Sequence, residues 1–238
     1  MRNNELRKII RSHKEQTKEM ELPIFLGYDN NDQPLIVDLS KVGNILVGGA
    51  TRQGKTNLLH AFAHSIYYAQ PQVSNLCIVY YIDPKGVERL SPYFDIQLNT
   101  IDDILANLDM LQEKIVKREA DKRVSRYPIA VLIDDFDHLV PTDKSILDKM
   151  VSIAQRGPRV GIFTVLASTQ MEYNILPARL RIEMPTRVAF RVTSIIESRV
   201  ILDTPDATLL SRQGEMFFSH NLKLTKLQTI NVIDDHRA

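Results

Sequence analysis

The segment Gly49-Ala-Thr-Arg-Gln-Gly-Lys-Thr56 constrains more than any other what this chain of 238 residues can fold into. It matches the pattern G-x-x-x-x-G-K-[ST], in which the glycines let the backbone curl so that successive N–H groups point at phosphate oxygens. An apolar strand is predicted before the loop, over Asn44–Val47, and a helix after it, over Thr56–Ala69. A strand, a phosphate-binding loop and a helix in this order are typical of α/β folds.

The residue types of this loop suit the binding of ATP. Lys55 is predicted to reach the β- and γ-phosphates, and the Thr56 hydroxyl to ligate Mg²⁺. The positive end of the following helix dipole also favours phosphate. A chance match is the alternative, but the flanking strand and helix argue against it. The predicted nucleotide-binding residues are Gly49, Ala50, Thr51, Arg52, Gln53, Gly54, Lys55, Thr56 and Asn57, with no separate role for the Arg52 side chain.

Apolar runs and helical patterns alternate along the rest of the chain. Runs that are apolar on both faces and separated by helices predict a mostly parallel sheet with helices on both faces. Helices are predicted over Ile101–Val124 and Ser145–Gln155. Further strands are predicted over Leu76–Ile82, Ile129–Ile133, Ile162–Ala167, Arg187–Val192, Glu215–Ser219 and Leu227–Val232.

The first part of the chain is more polar and more highly charged than the segments that follow it. Leu6, Ile9 and Ile10 have helical spacing in a charged segment, which predicts a short helical appendage over residues 1–21. A single domain is expected over residues 22–238. It begins with a hairpin-like entry, because Asp29-Asn-Asn-Asp-Gln-Pro34 is a turn cluster between two apolar runs.

Composition argues against several other classes of protein. With 44% hydrophobic and 25% charged residues, the chain can bury a sizeable core, so disorder throughout is not expected. No apolar run approaches the roughly 18 residues needed to span a bilayer, and the single cysteine, Cys77, allows no disulfide framework. We therefore expect a cytoplasmic protein, which a membrane-anchored partner could recruit. The net charge of +1 does not indicate nucleic acid, although a protein that grips DNA locally does not need a high charge.

An acidic pair ends the apolar strand in Ala130-Val-Leu-Ile-Asp-Asp135. An aspartate at the carboxyl end of a buried strand can lie beside the phosphate-binding loop and hold Mg²⁺, usually through water. We assign Asp134 to the metal and Asp135 to the orientation of the attacking water. The alternative is that Asp-Asp-Phe-Asp137 caps a turn or helix. In ATPases with this pair of motifs, the catalytic position usually carries glutamate. Aspartate is one methylene shorter, so Asp135 is compatible with slow hydrolysis of ATP.

Two further strand ends carry polar residues. Ser168, Thr169 and Gln170 follow one strand, and Gln170 is predicted to sense the γ-phosphate, with simple strand termination as the alternative. Lys85 follows another strand in Asp83-Pro-Lys-Gly; a role near the nucleotide or between subunits and a solvated turn are equally open. The predicted catalytic residues are Lys55, Asp134, Asp135 and Gln170.

Several segments together resemble the motor domain of the FtsK/SpoIIIE family. The resemblance covers about residues 22–220, in the order expected for that family. Its most specific part is Pro185-Thr-Arg-Val-Ala-Phe-Arg-Val-Thr-Ser194 with Glu197-Ser-Arg-Val-Ile-Leu-Asp203. The other matching segments are Leu22–Gly27, Asn44–Thr56, Tyr81–Lys85, Leu132–Leu139, Ala167–Gln170 and Gly214–Met216.

This resemblance implies a RecA-like fold and an ATPase that assembles into a ring, most often a hexamer. ATP would lie between subunits, and its hydrolysis would drive double-stranded DNA through the central pore. An arginine of the neighbouring subunit would complete the site. Pro158 stands at the family's arginine position, so the candidates for this role are Arg156, Arg159, Arg187, Arg191 and Arg199.

The departures from the family, which include Asp135 and the displaced arginine, leave three functions open. Met171-Glu172 replaces the family's Arg-Pro, and no winged-helix pattern follows the motor segment, so sequence-directed loading on DNA is not predicted. The first function is a DNA translocase for chromosome or mobile-element DNA, which the single motor and Asp83-Pro-Lys85 favour. The second is a type VII-like protein-secretion ATPase. The third is a nucleotide-binding regulatory subunit that hydrolyses ATP weakly.

Overall fold

The computed structural model describes residues 3–69, 77–87, 91–121 and 127–232, and ten strands of this part form one sheet. The strands are β1 (Pro23–Tyr28), β2 (Pro34–Asp38), β3 (Ile45–Gly48), β4 (Ile78–Ile82), β5 (Ile96–Leu98), β6 (Ile129–Ile133), β7 (Ile162–Ser168), β8 (Thr186–Phe190), β9 (Glu215–His220) and β10 (Lys223–Gln228). The helices are α1 (Asn3–Ser12), α2 (Lys14–Thr17), α3 (Leu39–Val42), α4 (Lys55–Ala69), α5 (Ile101–Ala120), α6 (Phe136–Leu139), α7 (Lys144–Arg156), α8 (Ala178–Arg181) and α9 (Ile195–Leu202). Short 3₁₀ turns cover Gly157–Val160 and Asp206–Leu209.

The strand order is β2-β1-β10-β9-β8-β3-β7-β6-β4-β5. The strands from β8 to β5 in this order run parallel to their neighbours. The strands from β8 to β2 on the other side are paired antiparallel. The predicted mostly parallel sheet is therefore confirmed, and it carries an antiparallel extension at one side.

Helices cover both faces of the sheet because alternate side chains of each strand point to opposite sides. In β3, Ile45 and Val47 join a core cluster with the apolar residues of α4, such as Phe62. Leu46 points the other way, into a cluster built with α5, α7 and α9. This confirms the predicted arrangement. None of the helices within the described ranges is both long and apolar enough to cross a bilayer.

The N-terminal helix α1 packs onto this framework as its apolar spacing predicts. Leu6, Ile9 and Ile10 are buried in a third cluster with residues that include Phe25 and Ala61. The helix is confirmed, and its apolar stripe contacts β1 and α4. The division of the chain at residue 22 into an appendage and a domain stays a prediction.

The prediction of a last strand over Leu227–Val232 is wrong in its position. Strand β10 pairs with β9 along its whole length, from Lys223 opposite His220 to Gln228 opposite Glu215. The connecting residues Asn221 and Leu222 both have positive φ, which is the geometry of a two-residue hairpin turn. The apolar residues beyond β10 instead pack in the cluster around α1.

Smaller differences concern element ends and short elements. Helix α5 ends at Ala120, whereas residues 122–124 of the predicted helix, like Leu76 of a predicted strand, lie outside the described residues. The sequence analysis did not predict β5 or α9. β5 has only three residues, and most of α9 lies in the segment Glu197–Asp203, which was interpreted through its family resemblance alone.

Asn44 ties the amino-terminal end of β3 to three other segments. Its side chain is buried; the amide donates to the carbonyls of Ala154 (2.7 Å) and Glu183 (2.9 Å) and accepts from the N–H of Thr164 (2.9 Å). These bonds join β3 to α7, to β7 and to the segment before β8. The position of β3 determines where the phosphate-binding loop begins.

Replacing Asn44 by alanine should therefore destabilise the protein by about 3 kcal/mol, because three main-chain groups lose their partner at a buried position. Thermal unfolding should show a melting temperature lower by about 6–12 °C. The matched control is Asn107→Ala, since the Asn107 amide bonds only the Asp103 carbonyl among its described contacts and lies on α5. Equal melting temperatures for the two variants would contradict this assignment.

Candidate nucleotide-binding site

The candidate site lies where four neighbouring parallel strands end. The phosphate-binding loop follows β3, Asp134 follows β6, and Ser168 ends β7 between them. Asp83 follows β4 on the far side of β6. Carboxyl ends of parallel strands meet at one edge of a sheet, which is where ligands bind in open α/β folds. The structure thus brings together the three segments that carry the predicted catalytic residues, as well as the Asp-Pro-Lys segment.

Two glycines shape the loop after β3. Gly49 has φ +154° and Gly54 has φ +123°, values that L side chains rarely adopt. A Cβ atom at Gly49 would lie 2.6 Å from the Cβ of Phe190, which is closer than two non-bonded carbon atoms approach each other. The loop therefore lies directly against the end of β8, and only glycine fits at Gly49.

The turn before β9 bonds the middle of the phosphate-binding loop, at Arg52 and Gln53. The N–H of Gly214 donates to the carbonyl of Gln53 at 3.0 Å, and the Gln213 amide donates to the carbonyl of Arg52 at 2.8 Å. Arg52 is exposed and has φ +62°. The antiparallel extension of the sheet thus fixes two successive peptide groups of the loop.

Lys55 occupies the centre of the curled loop. It begins α4, is buried, and its Nζ donates to the carbonyls of Gly49 (2.8 Å) and Ala50 (3.1 Å). Burial lowers the pKa of Lys55, whereas the carboxylates of Asp134 and Asp135 act to raise it. The two carbonyls replace part of the hydration that this amine loses on burial, and the carboxylates favour its charged form.

Thr56 and Asp134 meet directly. The Thr56 hydroxyl donates to Oδ2 of Asp134 at 2.5 Å, and the Tyr81 hydroxyl lies 3.3 Å from the same oxygen. Burial raises the pKa of Asp134 to about 6, while the bond from Thr56 acts in the opposite direction. A hydroxyl and a carboxylate side by side are the hard oxygen donors that Mg²⁺ prefers. The donor chemistry therefore fits the predicted metal position.

Asp135 does not do what a helix-capping aspartate does. It precedes α6 with φ +45° and ψ +48°, and among the described residues of that helix its carboxylate bonds no main-chain N–H. Asp143, by contrast, caps α7 by accepting from Ser145. The carboxylate of Asp135 instead forms an ion pair with Lys85, at 2.7 Å. The capping alternative considered for Asp135 therefore does not hold.

Asp137 is a residue of the candidate site that the sequence analysis missed. Its buried carboxylate lies 3.1 Å from the Ser168 hydroxyl and accepts from the N–H of Thr169 at 2.9 Å, so it ties β7 to the end of β6. The signal was the third acid of Asp-Asp-Phe-Asp137. Gln170 is exposed, and its main-chain carbonyl lies 2.9 Å from the Ser168 hydroxyl. The role of the Gln170 side chain as a phosphate sensor stays a prediction.

Asn57 has a structural side chain. Its amide donates to the carbonyl of Ile230 (2.6 Å) and accepts from the N–H of Val232 (2.7 Å). This pair of bonds fastens the segment after β10 to the first turn of α4. The predicted place of Asn57 in nucleotide binding consequently depends on its main chain.

The arginines predicted to act on a neighbouring subunit differ in their surroundings. The guanidinium of Arg187 donates to the main-chain carbonyls of Met184, Ile201 and Arg181 in its own chain, which argues against that role. Arg156 forms a bidentate ion pair with Glu119, with bonds of 3.2 and 2.5 Å. The exposed candidates are Arg159, Arg191 and Arg199.

Comparison with known proteins adds the following. The model of the FtsK/SpoIIIE family matches residues 5–182. DNA translocase FtsK of Haemophilus influenzae is 29% identical over 98% of this chain and 55% of its own length. DNA translocase FtsK of Helicobacter pylori strain J99 is 31% identical over 90% of this chain and 28% of its own length. The chain thus spans between about a quarter and about half of these relatives.

Solved structures share the fold. The conjugation coupling protein TcpA of pCW3, solved with ATPγS, superposes with a TM-score of 0.72 at 18% identity, over 91% of this chain and 68% of TcpA. The cytoplasmic domain of the type VII secretion ATPase EccC of Thermomonospora curvata gives 0.71 at 22% identity, over 89% of this chain and 29% of EccC. At these identities the likeness establishes the fold, which confirms the predicted RecA-like P-loop architecture.

Lys55→Ala should weaken ATP binding by about 10–100-fold, because the variant loses charged hydrogen bonds to phosphate. Titration with a fluorescent ATP analogue measures this dissociation constant. Lys117→Ala is the control, since Lys117 is 72% exposed and pairs with Glu113 on α5. An unchanged dissociation constant for Lys55→Ala would refute the predicted role of the loop.

The raised pKa of Asp134 predicts a pH-dependent stability. A carboxyl whose pKa rises from 3.8 to about 6 on folding stabilises the protein most below the unfolded value and loses that contribution as the pH rises through 6. Between pH 5 and pH 8 this loss is about 1.4 kcal/mol. Asp134→Asn cannot ionise, so in EDTA its melting temperature relative to the unmutated protein should rise by about 3–6 °C over this interval.

The exposed carboxylate of Asp148, which pairs with Arg179, supplies the matched control Asp148→Asn. Its melting temperature should follow that of the unmutated protein at both pH values. A constant offset between Asp134→Asn and the unmutated protein would show that Asp134 ionises in the same range folded and unfolded.

Proposed function

Because the chain belongs to the FtsK/SpoIIIE family, we propose that it hydrolyses ATP and uses the energy to move double-stranded DNA. The observation that carries the proposal is the 2.5 Å bond from the Thr56 hydroxyl to Asp134, which joins the phosphate-binding loop to the acidic strand end. The names of the relatives add support, since those from H. influenzae and H. pylori are DNA translocases. The proposal concerns the segment of these longer proteins that the chain spans.

The phosphates of ATP would replace the partners that Lys55 has in this structure. The ammonium group would leave the carbonyls of Gly49 and Ala50 and bind the β- and γ-phosphates, and the N–H groups of the loop would bind the other phosphate oxygens. Thr56 and Asp134 would hold Mg²⁺, which when bound offsets phosphate charge. Asp134 would then be ionised, because a cation beside a carboxylate favours its charged form.

Asp135 would orient the attacking water. Its carboxylate lies next to Asp134 at the strand end, and the main-chain N–H of Asp135 donates to Oδ1 of Asp134 at 3.0 Å. This bond fixes the water-orienting residue relative to the metal-binding one. Gln170, at the end of the neighbouring strand β7, would report the presence of the γ-phosphate.

Two features of the proposal concern assembly. ATP would lie at the interface between subunits of a ring, and an exposed arginine of the neighbour would approach the γ-phosphate. Arg159, Arg191 and Arg199 remain the candidates because Arg187 and Arg156 are both engaged within their own chain. The proposed ring is a hexamer with double-stranded DNA in its pore, and a membrane-anchored partner would supply any attachment to a membrane.

We expect linear double-stranded DNA to stimulate the ATPase rate, and the stimulation to weaken as salt rises from 50 to 200 mM, because contacts to DNA phosphates release counterions. Displacement of a third strand from a DNA triplex in the presence of ATP would measure movement directly. Lys55→Ala should abolish both signals. Lys117→Ala should keep both.

Other outcomes would indicate the other two functions. An ATPase rate that DNA leaves unchanged but a peptide substrate raises would indicate a protein-secretion motor, a class to which EccC belongs by name. Tight ATP binding without turnover under any of these conditions would indicate a regulatory subunit. Either result would overturn the proposal of DNA translocation.

A further inference from the structure

We propose that Lys85 is a positioning residue that holds the carboxylate of Asp135 in place for its role toward the attacking water. The inference rests on the proposed function of Asp135 and goes beyond it, since it assigns a role to a residue on a different strand. The observation that carries it is the ion pair between Nζ of Lys85 and Oδ2 of Asp135, at 2.7 Å.

The turn that carries Lys85 is built to present this side chain. Asp83 is buried at the end of β4, and its two carboxylate oxygens accept from the N–H groups of Lys85 (3.0 Å) and Val87 (2.9 Å). The N–H of Gly86, at φ +60°, donates to the carbonyl of Asp83. A turn held by three hydrogen bonds fixes the backbone of Lys85, so little further backbone freedom is lost when the ion pair forms.

The sheet register places this turn beside Asp135. Ile82 in β4 is opposite Ile133 in β6, so the two strands end at the same level. The N–H of Asp134 donates to the carbonyl of Ile82 at 2.9 Å and extends the pairing by one residue. Lys85 and Asp135 both follow this last bond and meet above the edge of the sheet.

Asp135 needs an external restraint because its local structure supplies little. Its φ of +45° lies in the left-handed region, which is unfavourable for a residue with a Cβ atom and persists where surrounding contacts impose it. Its carboxylate bonds no main-chain N–H of the described helix α6 that it precedes. The side chain is 17% exposed. The ion pair with Lys85 therefore restrains a carboxylate that would otherwise rotate about its own χ angles.

A direct contact of Lys85 with phosphate is the alternative. Lys55 already lies inside the loop, with its Nζ 2.8 Å from the carbonyl of Gly49. Lys85 follows β4, which β7 and β6 separate from β3 in the sheet, and its ammonium group pairs with the carboxylate of Asp135. The geometry therefore favours an action through Asp135.

The test is a double-mutant cycle on ATP turnover with Lys85→Met, Asp135→Asn and the double variant. Asp135→Asn should lower kcat by about 10²–10³-fold, and Lys85→Met by about tenfold. The double variant should match Asp135→Asn within about twofold, since a residue that acts through Asp135 has no effect once that carboxylate is gone. Lys85→Arg keeps the charge and should recover most of kcat.

Three further measurements separate positioning from a structural or binding role. The KM for ATP and the dissociation constant of a fluorescent ATP analogue should stay within about threefold in Lys85→Met, because binding does not require the pair. Its melting temperature should match that of the unmutated protein, as expected for a partly exposed ion pair. Lys117→Met is the matched control, since it removes a lysine from the ion pair with Glu113 on α5, and its kcat should not change.

The following results would overturn the inference. An unchanged or raised kcat in Lys85→Met would show that the pair is idle or inhibitory. Losses that multiply in the double variant, together with a raised KM, would show that Lys85 contacts the nucleotide itself. In all of these cases the proposed function would still hold, provided that the unmutated protein hydrolyses ATP and Asp135→Asn does not. Full activity of Asp135→Asn would instead reject both the assigned role of Asp135 and the inference built on it.

Discussion

The hydrogen bond between Thr56 and Asp134 joins two segments that lie 78 residues apart, and the arrangement of the site depends on it. It forms because β3 and β6 both pair with β7, in parallel and in a register that ends them at the same edge. Around it the loop encloses Lys55 and the main chain of Asp135 bonds Asp134. A shift of either strand by one residue would turn the functional side chains to the other face of the sheet.

Two ionisable groups of the candidate site are buried, where water cannot solvate their charged forms. Lys55 and Asp134 are both buried, and their pKa values move in the directions that burial imposes, down for the amine and up for the carboxyl. A bound cation would favour the ionised form of Asp134, and bound phosphates would favour the charged form of Lys55. Perturbed groups in one cluster are typical of functional sites rather than of a packed core. The outer members, Lys85 and Asp135, are more exposed and pair with each other.

The sequence predicted the elements whose pattern is local and strong. Continuous apolar runs identified the central strands. The glycine spacing identified the phosphate-binding loop, in which Gly49 and Gly54 both have positive φ. The strand predicted at Leu227–Val232 was misplaced because β10, with its two lysines, has a weaker apolar pattern than the residues that follow it, and the hairpin with β9 decides the position. Asn57 was placed with the nucleotide because it follows Thr56, whereas its amide bonds a segment more than 170 residues away.

By itself the sequence determined the residue types on which the proposed chemistry depends: the glycines, lysine and threonine of the loop and the two aspartates at the end of an apolar strand. These are fixed by local backbone geometry and by the chemistry of phosphate and Mg²⁺, which any strand and helix in this order would present. Only the tertiary structure decided that Lys85 meets Asp135, that Asp137 joins Ser168, and that Arg187 is occupied in its own chain. Those contacts depend on strand order and register, which arise from packing across the whole sheet, so no single segment specifies which side chains meet.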